Sequence, residues 1–231
     1  MKNMVIASTS TLYGGQYLDY LLPVLSQFFK TVDEVLFIPY ARPGGISLED
    51  YTSKAQEAFL KIGKHLKGIQ EFEEPQKAIA QSGAIFTGGG NTFLLVKTLH
   101  DLDLMEVLSE RIKSGAKYLG TSAGSNITGP TMQTTNDMPI VYPSSFNTLN
   151  CIPYQINPHY LDPDPNSKHQ GETRETRIKE YHTLNKLPVI GLREGSWLEV
   201  SGEKIVLKGD CSARLFKKDE IPVELEPGTF L

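Results

Sequence analysis

Along the chain, short apolar runs alternate with longer segments in which apolar residues recur every three or four positions. Runs of the first kind fall at residues 4–8, 34–40, 68–72, 84–87 and 117–121, and read as buried strands. Segments of the second kind fall at 17–29, 48–62, 75–81, 91–99 and 104–114, and read as helices. Strands separated by crossover helices pair in parallel, because the right-handed helical return is the accessible route back to the sheet. Up to Gly124 the pattern therefore predicts an α/β fold, a doubly wound and mostly parallel sheet with helices on both faces.

Past Gly124 the pattern changes. Polar, proline-rich stretches at 128–143 and 157–171 read as loops, and a run at 151–159 that ends in His159 looks like one more strand. A helix is expected at 172–184. Short runs at 189–192, 197–201, 204–207 and 213–217, broken by Ser-Gly and Lys-Gly-Asp turns, predict a C-terminal antiparallel extension, a meander closing one sheet edge. No repeat, low-complexity tract or linker interrupts residues 1–231, so one domain is expected.

Composition narrows the function more than the fold. Lys plus Arg is 23 and Asp plus Glu is 27, a net charge of −4 that lacks the broad cationic surface phosphate backbones require. Nucleic acid is not expected as a partner. Cys151 and Cys211 are too few for a disulfide framework and form no zinc-ligand spacing, which fits a reducing cytosol. The apolar N-terminal stretch is shorter than a signal-peptide core, and no run of about 18 apolar residues occurs. The expectation is a soluble, cytoplasmic protein with no membrane partner, either monomer or homodimer. Neither cofactor nor metal is called for, since His159, Asp162 and Asp164 match no ligand pattern such as HExxH.

In an open parallel sheet, ligands bind beyond the carboxyl ends of the strands, so chemistry is sought in the turns that follow them. Gly88-Gly89-Gly90-Asn91 follows the run at 84–87 and opens a helix. It lacks a nucleotide-binding signature, and its N–H groups suit an anion or oxyanion better than a dinucleotide. Gly120-Thr121-Ser122-Ala123-Gly124 follows the run at 117–121, the context a nucleophile elbow needs. Small neighbours would let Ser122 Oγ project into the crevice while the next N–H faces an oxyanion. Serine is a weak nucleophile and needs a base in hydrogen-bond reach. His65, His100 and His182 have the charged, helical or helix-flanking context of a solvated face, and His169 lies in a polar loop. His159, at the end of a strand-like run, is the candidate base. Asp137 and Glu194 both qualify as the carboxylate that orients it, and the strand-end position of Glu194 favours that residue.

Blocks spread over nearly the whole chain carry a family resemblance: ASTST at 7–11, FIPYA at 37–41, GGGNTF at 88–93, SAG at 122–124, TTNDMPIV at 134–141, QINPH at 155–159, GETRE at 171–175 and IGLREGSW at 190–197. With them the sequence resembles the peptidase E family, cytoplasmic serine peptidases that act as α-aspartyl dipeptidases on a class I glutamine amidotransferase-like fold. Cyanophycinase-like relatives share the elbow, but TTNDMPIV and GETRE resemble the dipeptidases more.

The resemblance implies hydrolysis of dipeptides with an N-terminal aspartate. It implies Ser122 as nucleophile, His159 as general base, Glu194 as orienting acid, and the Gly90 and Ala123 N–H groups as oxyanion hole. Arg174 in the GETRE block would bind the aspartate carboxylate, although Glu172, Arg174, Glu175 and Arg177 also make an ordinary charged helix start. Asn91 and Asp137 are candidates for the remaining polar contacts to substrate. Two competing readings remain. One is an α/β-hydrolase esterase with the order Ser…Asp…His through Asp137. The other is a non-catalytic protein that holds a small anion at the glycine turn and Arg174. The loops at 128–143 and 157–171 flank the expected site and suggest a lid that limits substrate length.

Overall fold

The structure is a computed structural model that describes residues 1–164, 166, 168 and 171–231. Its first strands are β1 (Asn3–Ala7), β2 (Glu34–Ile38), β3 (His65–Gly68), β4 (Ala84–Thr87) and β5 (Lys117–Thr121). In β1, Met4 and Ile6 face one side of the sheet and Val5 and Ala7 the other, and all four are buried. Burial on both faces is what places such a strand inside a parallel sheet. The five pair in parallel in the order β3-β2-β4-β5-β1.

Helices α1 (Leu22–Phe28) and α2 (Leu48–Leu60) cover one face, where Leu25, Tyr51 and Phe59 pack with Phe37, Phe86 and Leu119. The other face is covered by α3 (Pro75–Gln81), α4 (Thr92–Asp101) and α5 (Met105–Lys113) through Ile79, Leu95, Leu99, Leu108 and Ile112. One helical turn, α6 (Ala123–Asn126), follows β5.

The remaining elements are β6 (Gln155–Asn157), α7 (Arg174–Leu184), β7 (Val189–Leu192), β8 (Ser196–Ser201), β9 (Lys204–Gly209), β10 (Ala213–Phe216) and β11 (Val223–Leu225). Strand β8 joins the main sheet antiparallel to β1, and β9 pairs antiparallel with β8 at the edge. Strand β7 leaves it, pairing in parallel with β6 and antiparallel with β10 in a second sheet ordered β11-β10-β7-β6. Helix α7 packs on that sheet through Ile178, against Tyr160, Val189 and Phe216.

Several expectations need correction. The C-terminal runs are not one meander. β7 is buried along its whole length, as an interior strand must be, whereas β8 alternates, and the turn at Glu194-Gly195 sends the two into different sheets. The strand expected at 68–72 lies instead at β3, and Ile69–Glu71 is a 3₁₀ turn held by the Gly68 N–H donating to Glu71 Oε1 at 2.6 Å. Ile69 and Phe72 looked like strand positions but are three apart on that turn, both packed in the core. The strand expected at 151–159 shrinks to β6, since Pro153 and Pro158 have no N–H to donate to a ladder. The helix expected at 17–29 begins with a 3₁₀ turn at Asp19–Leu21, after Leu18 at φ 62°. Helix α7 starts two residues later than expected, because Thr173 caps it by accepting from the Thr176 N–H.

Candidate active site

Ser122 joins β5 to α6 with φ 54° and ψ −111°, a conformation that is strained for any residue bearing a side chain. Its neighbours hold it there. The Ser122 N–H donates to the Ala7 carbonyl at 3.2 Å, and the Ser122 carbonyl accepts from the N–H groups of Ser125 and Asn126 at 2.9 Å each. The Ser125 hydroxyl is shared between the carbonyls of Ala7 (2.6 Å) and Gly120 (2.8 Å), and Tyr118 OH donates to the Gly124 carbonyl at 2.8 Å.

The strained turn aims Ser122 Oγ at His159, whose Nε2 lies 2.8 Å away, and His159 Nδ1 lies 2.6 Å from Glu194 Oε1. With the Nδ1 proton directed at the carboxylate, Nε2 is left to accept from the serine hydroxyl. The carboxyl ends of β5, β6 and β7 thus supply one hydroxyl, one imidazole and one carboxylate. Ser8, at the end of β1, locks this meeting point. Its hydroxyl accepts from the His159 N–H at 2.9 Å and donates to the Leu192 carbonyl at 2.8 Å. The Leu192 carbonyl also accepts the Tyr160 N–H at 2.9 Å. Beside Glu194, Tyr20 OH donates to the Thr9 carbonyl at 2.7 Å, and burial pushes this phenol well above the usual tyrosine range.

The glycine turn lies directly against the serine. A Cβ on Gly89 would come within 2.9 Å of Ser122 Cβ. Gly90 has φ 146°, and a Cβ there would fall 2.1 Å from the Ala41 carbonyl oxygen, so only glycine fits. Among the described residues, the N–H groups of Gly90 and Ala123 donate to no protein acceptor, leaving two donors beside Oγ for an oxyanion.

The next residues of this turn are tied to the loop at 134–138. Asp137 Oδ2 accepts from the Thr92 N–H (2.7 Å), the Thr92 hydroxyl (2.6 Å) and the Thr135 hydroxyl (3.1 Å). Asn91 caps α4 by accepting from the Leu94 N–H at 3.0 Å, and its amide donates to the Met138 carbonyl at 2.9 Å. Asp137 therefore does not touch His159, and Asn91 has one amide N–H to spare. Arg174, at the first position of α7, is half-buried and pairs with no carboxylate among the described residues. Burial and then neighbouring Arg177 pull its pKa down, while Asp137 opposes them.

Other expected candidates are placed elsewhere. His65 opens β3 on the surface, and His100 meets the Asn147 carbonyl at 3.0 Å. His182 is not a solvated residue as expected: it is buried in α7, with Nε2 3.0 Å from the Leu187 carbonyl. His169 lies outside the described residues. No group of three or more His, Cys, Asp or Glu able to hold a metal ion occurs among the described residues. Cys151 and Cys211 are free, and burial pushes the Cys151 thiol up to about 11. No helix among the described residues is long and apolar enough to cross a membrane.

Sequence reasoning passed over an ion-pair cluster that borders the site. Arg193, next to Glu194, grips Asp162 through Nε and Nη2 at 2.8 Å each, and Glu224 through Nη1 (2.8 Å) and Nη2 (3.0 Å). Nη1 also donates to Ser212 Oγ at 2.8 Å and to the Ser212 carbonyl at 3.1 Å, and the guanidinium lies 5.5 Å from the Tyr160 ring. The hydrogen bonds from Arg193 hold the Asp162 and Glu224 carboxyls below the usual range. Arg214 adds Glu175 of α7 to the cluster at 3.3 Å. The cluster binds the segment after His159 to the segment before Glu194.

Comparison with known proteins follows the same lines. A "Peptidase E" of Streptomyces coelicolor is 43% identical over 229 residues, covering 99% of this chain and 93% of its own. The "Probable alpha-aspartyl dipeptidase" of Drosophila melanogaster is 41% identical over 229 residues, covering 98% and 94%. The crystal structure of a peptidase from an acI-B1 Actinobacterium superposes with TM-score 0.73 at 17% identity, covering 100% of this chain and 96% of that one, so the fold is shared. The model of peptidase family S51 matches residues 4–208, and the chain belongs to that family and is a peptidase.

Proposed function

We propose that the protein is a serine dipeptidase that hydrolyses Asp-X dipeptides through Ser122, His159 and Glu194. The observation that carries this reading is the unbroken hydrogen-bond line from Ser122 Oγ through the imidazole to Glu194 Oε1, at 2.8 and 2.6 Å. Ser122 Oγ attacks the carbonyl of the aspartyl residue while His159 Nε2 takes the hydroxyl proton, and Glu194 stabilises the imidazolium. The oxyanion points at the Gly90 and Ala123 N–H groups. His159 then gives its proton to the departing amine, and water, activated by the same imidazole, releases aspartate from the acyl-enzyme.

The preference for aspartate rests on Arg174, a half-buried guanidinium with no carboxylate of its own, and on the alpha-aspartyl name of the Drosophila relative. Asp137, through the oxygen not used on Thr92, is the acceptor we assign to the substrate ammonium. Asn-X would leave the arginine uncompensated, so it should be poorer by roughly 10² in kcat/KM. The esterase order through Asp137 fits less well, because His159 Nδ1 meets Glu194 and Asp137 makes no hydrogen bond to His159. The test is release of free aspartate from Asp-Leu, beside Asn-Leu and Leu-Leu, with Ser122→Ala as control. Asp-Leu alone should be cleaved, and only by the protein that keeps Ser122. Equal rates on Asn-Leu would sink the arginine pocket, and full activity of Ser122→Ala would sink the triad.

A further inference from the structure

We propose that Arg42 receives the α-carboxylate at the C-terminal end of the dipeptide, so that a second guanidinium marks where the substrate must stop. The assignment deepens the Asp-X reading and rests on it. Arg42 follows β2, at the same carboxyl edge of the sheet as Ser122 and the glycine turn. The residue before it is built into that turn: the Ala41 carbonyl accepts the Asn91 N–H at 2.6 Å. The Arg42 side chain is exposed but not adrift, because its Cζ lies 4.8 Å from the centre of the buried Tyr51 ring. Tyr51 OH in turn donates to the Gly89 carbonyl at 3.2 Å, and Gly89 abuts Ser122. Contact therefore runs without a break from the serine, through Gly89 and Tyr51, to the guanidinium.

The charge at this place is uncompensated. Among the described residues, Arg42 meets no carboxylate at ion-pair distance, whereas Lys61 on the same side of the sheet takes Asp19 at 2.7 Å. A second cation repeats the arrangement. Lys54 Nζ lies 5.3 Å from the centre of the Tyr17 ring, and Tyr17 OH donates to Tyr51 OH at 3.4 Å. Two cations are thus held on aromatic faces, and among the described residues neither has a carboxylate at ion-pair distance.

Geometry says which anion belongs there. Tyr51 belongs to the core under α1 and α2, while Thr92, which carries Asp137, belongs to α4 on the opposite face. Arg42 is thus tied to the α1/α2 face of the sheet, and Arg174, as a charged neighbour of Asp137, to the α4 face. A dipeptide with its first side chain at Arg174 sends its second residue the other way, and its α-carboxylate lies one residue, about 3.5 Å of extended chain, past the scissile bond. A guanidinium fork there pairs with that carboxylate. A longer peptide has a neutral amide at the same position and forfeits the pair.

The experiment compares kcat/KM for Asp-Leu and Asp-Leu-amide in the wild-type protein and in Arg42→Gln and Arg42→Lys. The wild type should favour the free acid by roughly tenfold or more, the size of a charge-assisted hydrogen bond. Arg42→Gln should bring the ratio below about threefold, mainly through KM for Asp-Leu, and Arg42→Lys should fall between, as a point charge without the fork would. Because the ratio is taken within one protein, partial loss of folded material leaves it unmoved. A wild-type ratio near one, or a ratio that survives Arg42→Gln, overturns the assignment and leaves the Asp-X reading standing. If folded wild-type protein cleaves neither compound, the Asp-X reading falls and this inference falls with it.

Discussion

Replacing Arg193 by methionine keeps an unbranched apolar stem and removes the guanidinium. The hydrogen bonds to Asp162, Glu224 and Ser212 are lost together, most of them charge-assisted. Exposed ion pairs contribute about 0.2–1 kcal/mol, and breaking a buried one costs about 3–5 kcal/mol. The Arg193 side chain is 19% exposed, but Asp162 is 47% and Glu224 43% exposed, so solvent screens the acidic half of each pair. The expected loss is therefore intermediate, about 2–3 kcal/mol. At about 2–4 °C per kcal/mol for a chain of this size, Tm should fall by roughly 4–12 °C at pH 7.

The pH dependence supplies the control. Both carboxyls are held below their ordinary values in the folded protein, so their contribution is complete above the unfolded pKa values near 4. It is lost as the pH falls through the lower, folded values. The Tm gap between wild type and Arg193→Met, measured by differential scanning calorimetry, should be widest above about pH 5 and narrow as the pH approaches 3. A gap under about 1 °C at pH 7, or one that does not narrow in acid, would refute the reasoning.

Two further substitutions probe how the proposed triad is held. Ser8→Ala removes the bridge between the His159 N–H and the Leu192 carbonyl, and kcat for Asp-Leu should fall roughly tenfold with KM nearly unchanged, since a small misplacement of the base acts on the chemical step. An unaltered kcat would mean that the imidazole keeps its place without the bridge. Gly90→Ala forces a Cβ against the Ala41 carbonyl at φ 146°, so kcat/KM should drop by roughly 10²–10³ while circular dichroism still reports a folded sheet. Retention of more than about a third of the activity would show that the Gly90 N–H does not face the oxyanion.

The parallel half of the fold was legible because its signals are local. Ala84–Thr87 is a short apolar run bounded by Gly83 and Gly88, and Lys117–Thr121 runs from just after Gly115 into the serine turn; the strands occupy those residues. Ser122, His159 and Glu194 were each found as strand-end residues, and the structure brings them within hydrogen-bond reach of one another. What the sequence concealed was partnership. Nothing in the run Val189–Leu192 tells that it pairs with Gln155–Asn157 and not with the strand that follows it, because sheet membership depends on residues far along the chain. His65-Leu66-Lys67 reads as surface, yet an edge strand needs only alternate burial, and Leu66 supplies it. Asp137 stood as a candidate for orienting His159 or for meeting substrate, and its bond to Thr92 went unforeseen because that partner is 45 residues away. Arg193 was passed over because its acids come from two distant segments. Ser8 left a faint trace, a polar residue ending an apolar strand at the edge where ligands bind.

The bond between Asp137 and Thr92 makes one mechanical part of two that are usually separate. The loop that faces Arg174 is pinned through Asp137 to Thr92, two residues along the chain from Gly90. On the proposed reading, a change that reshapes the loop to admit a different first residue also shifts the oxyanion donors, so identity of the first residue and speed of turnover are inherited together. Arg42 meets the same turn only through the backbone of Ala41 and the Tyr51 ring, and its side chain can be exchanged without disturbing the donors. On the proposed reading, along a lineage of such proteins the demand for a free carboxylate after the second residue can drift freely, while preference for the first residue is tied to the rate.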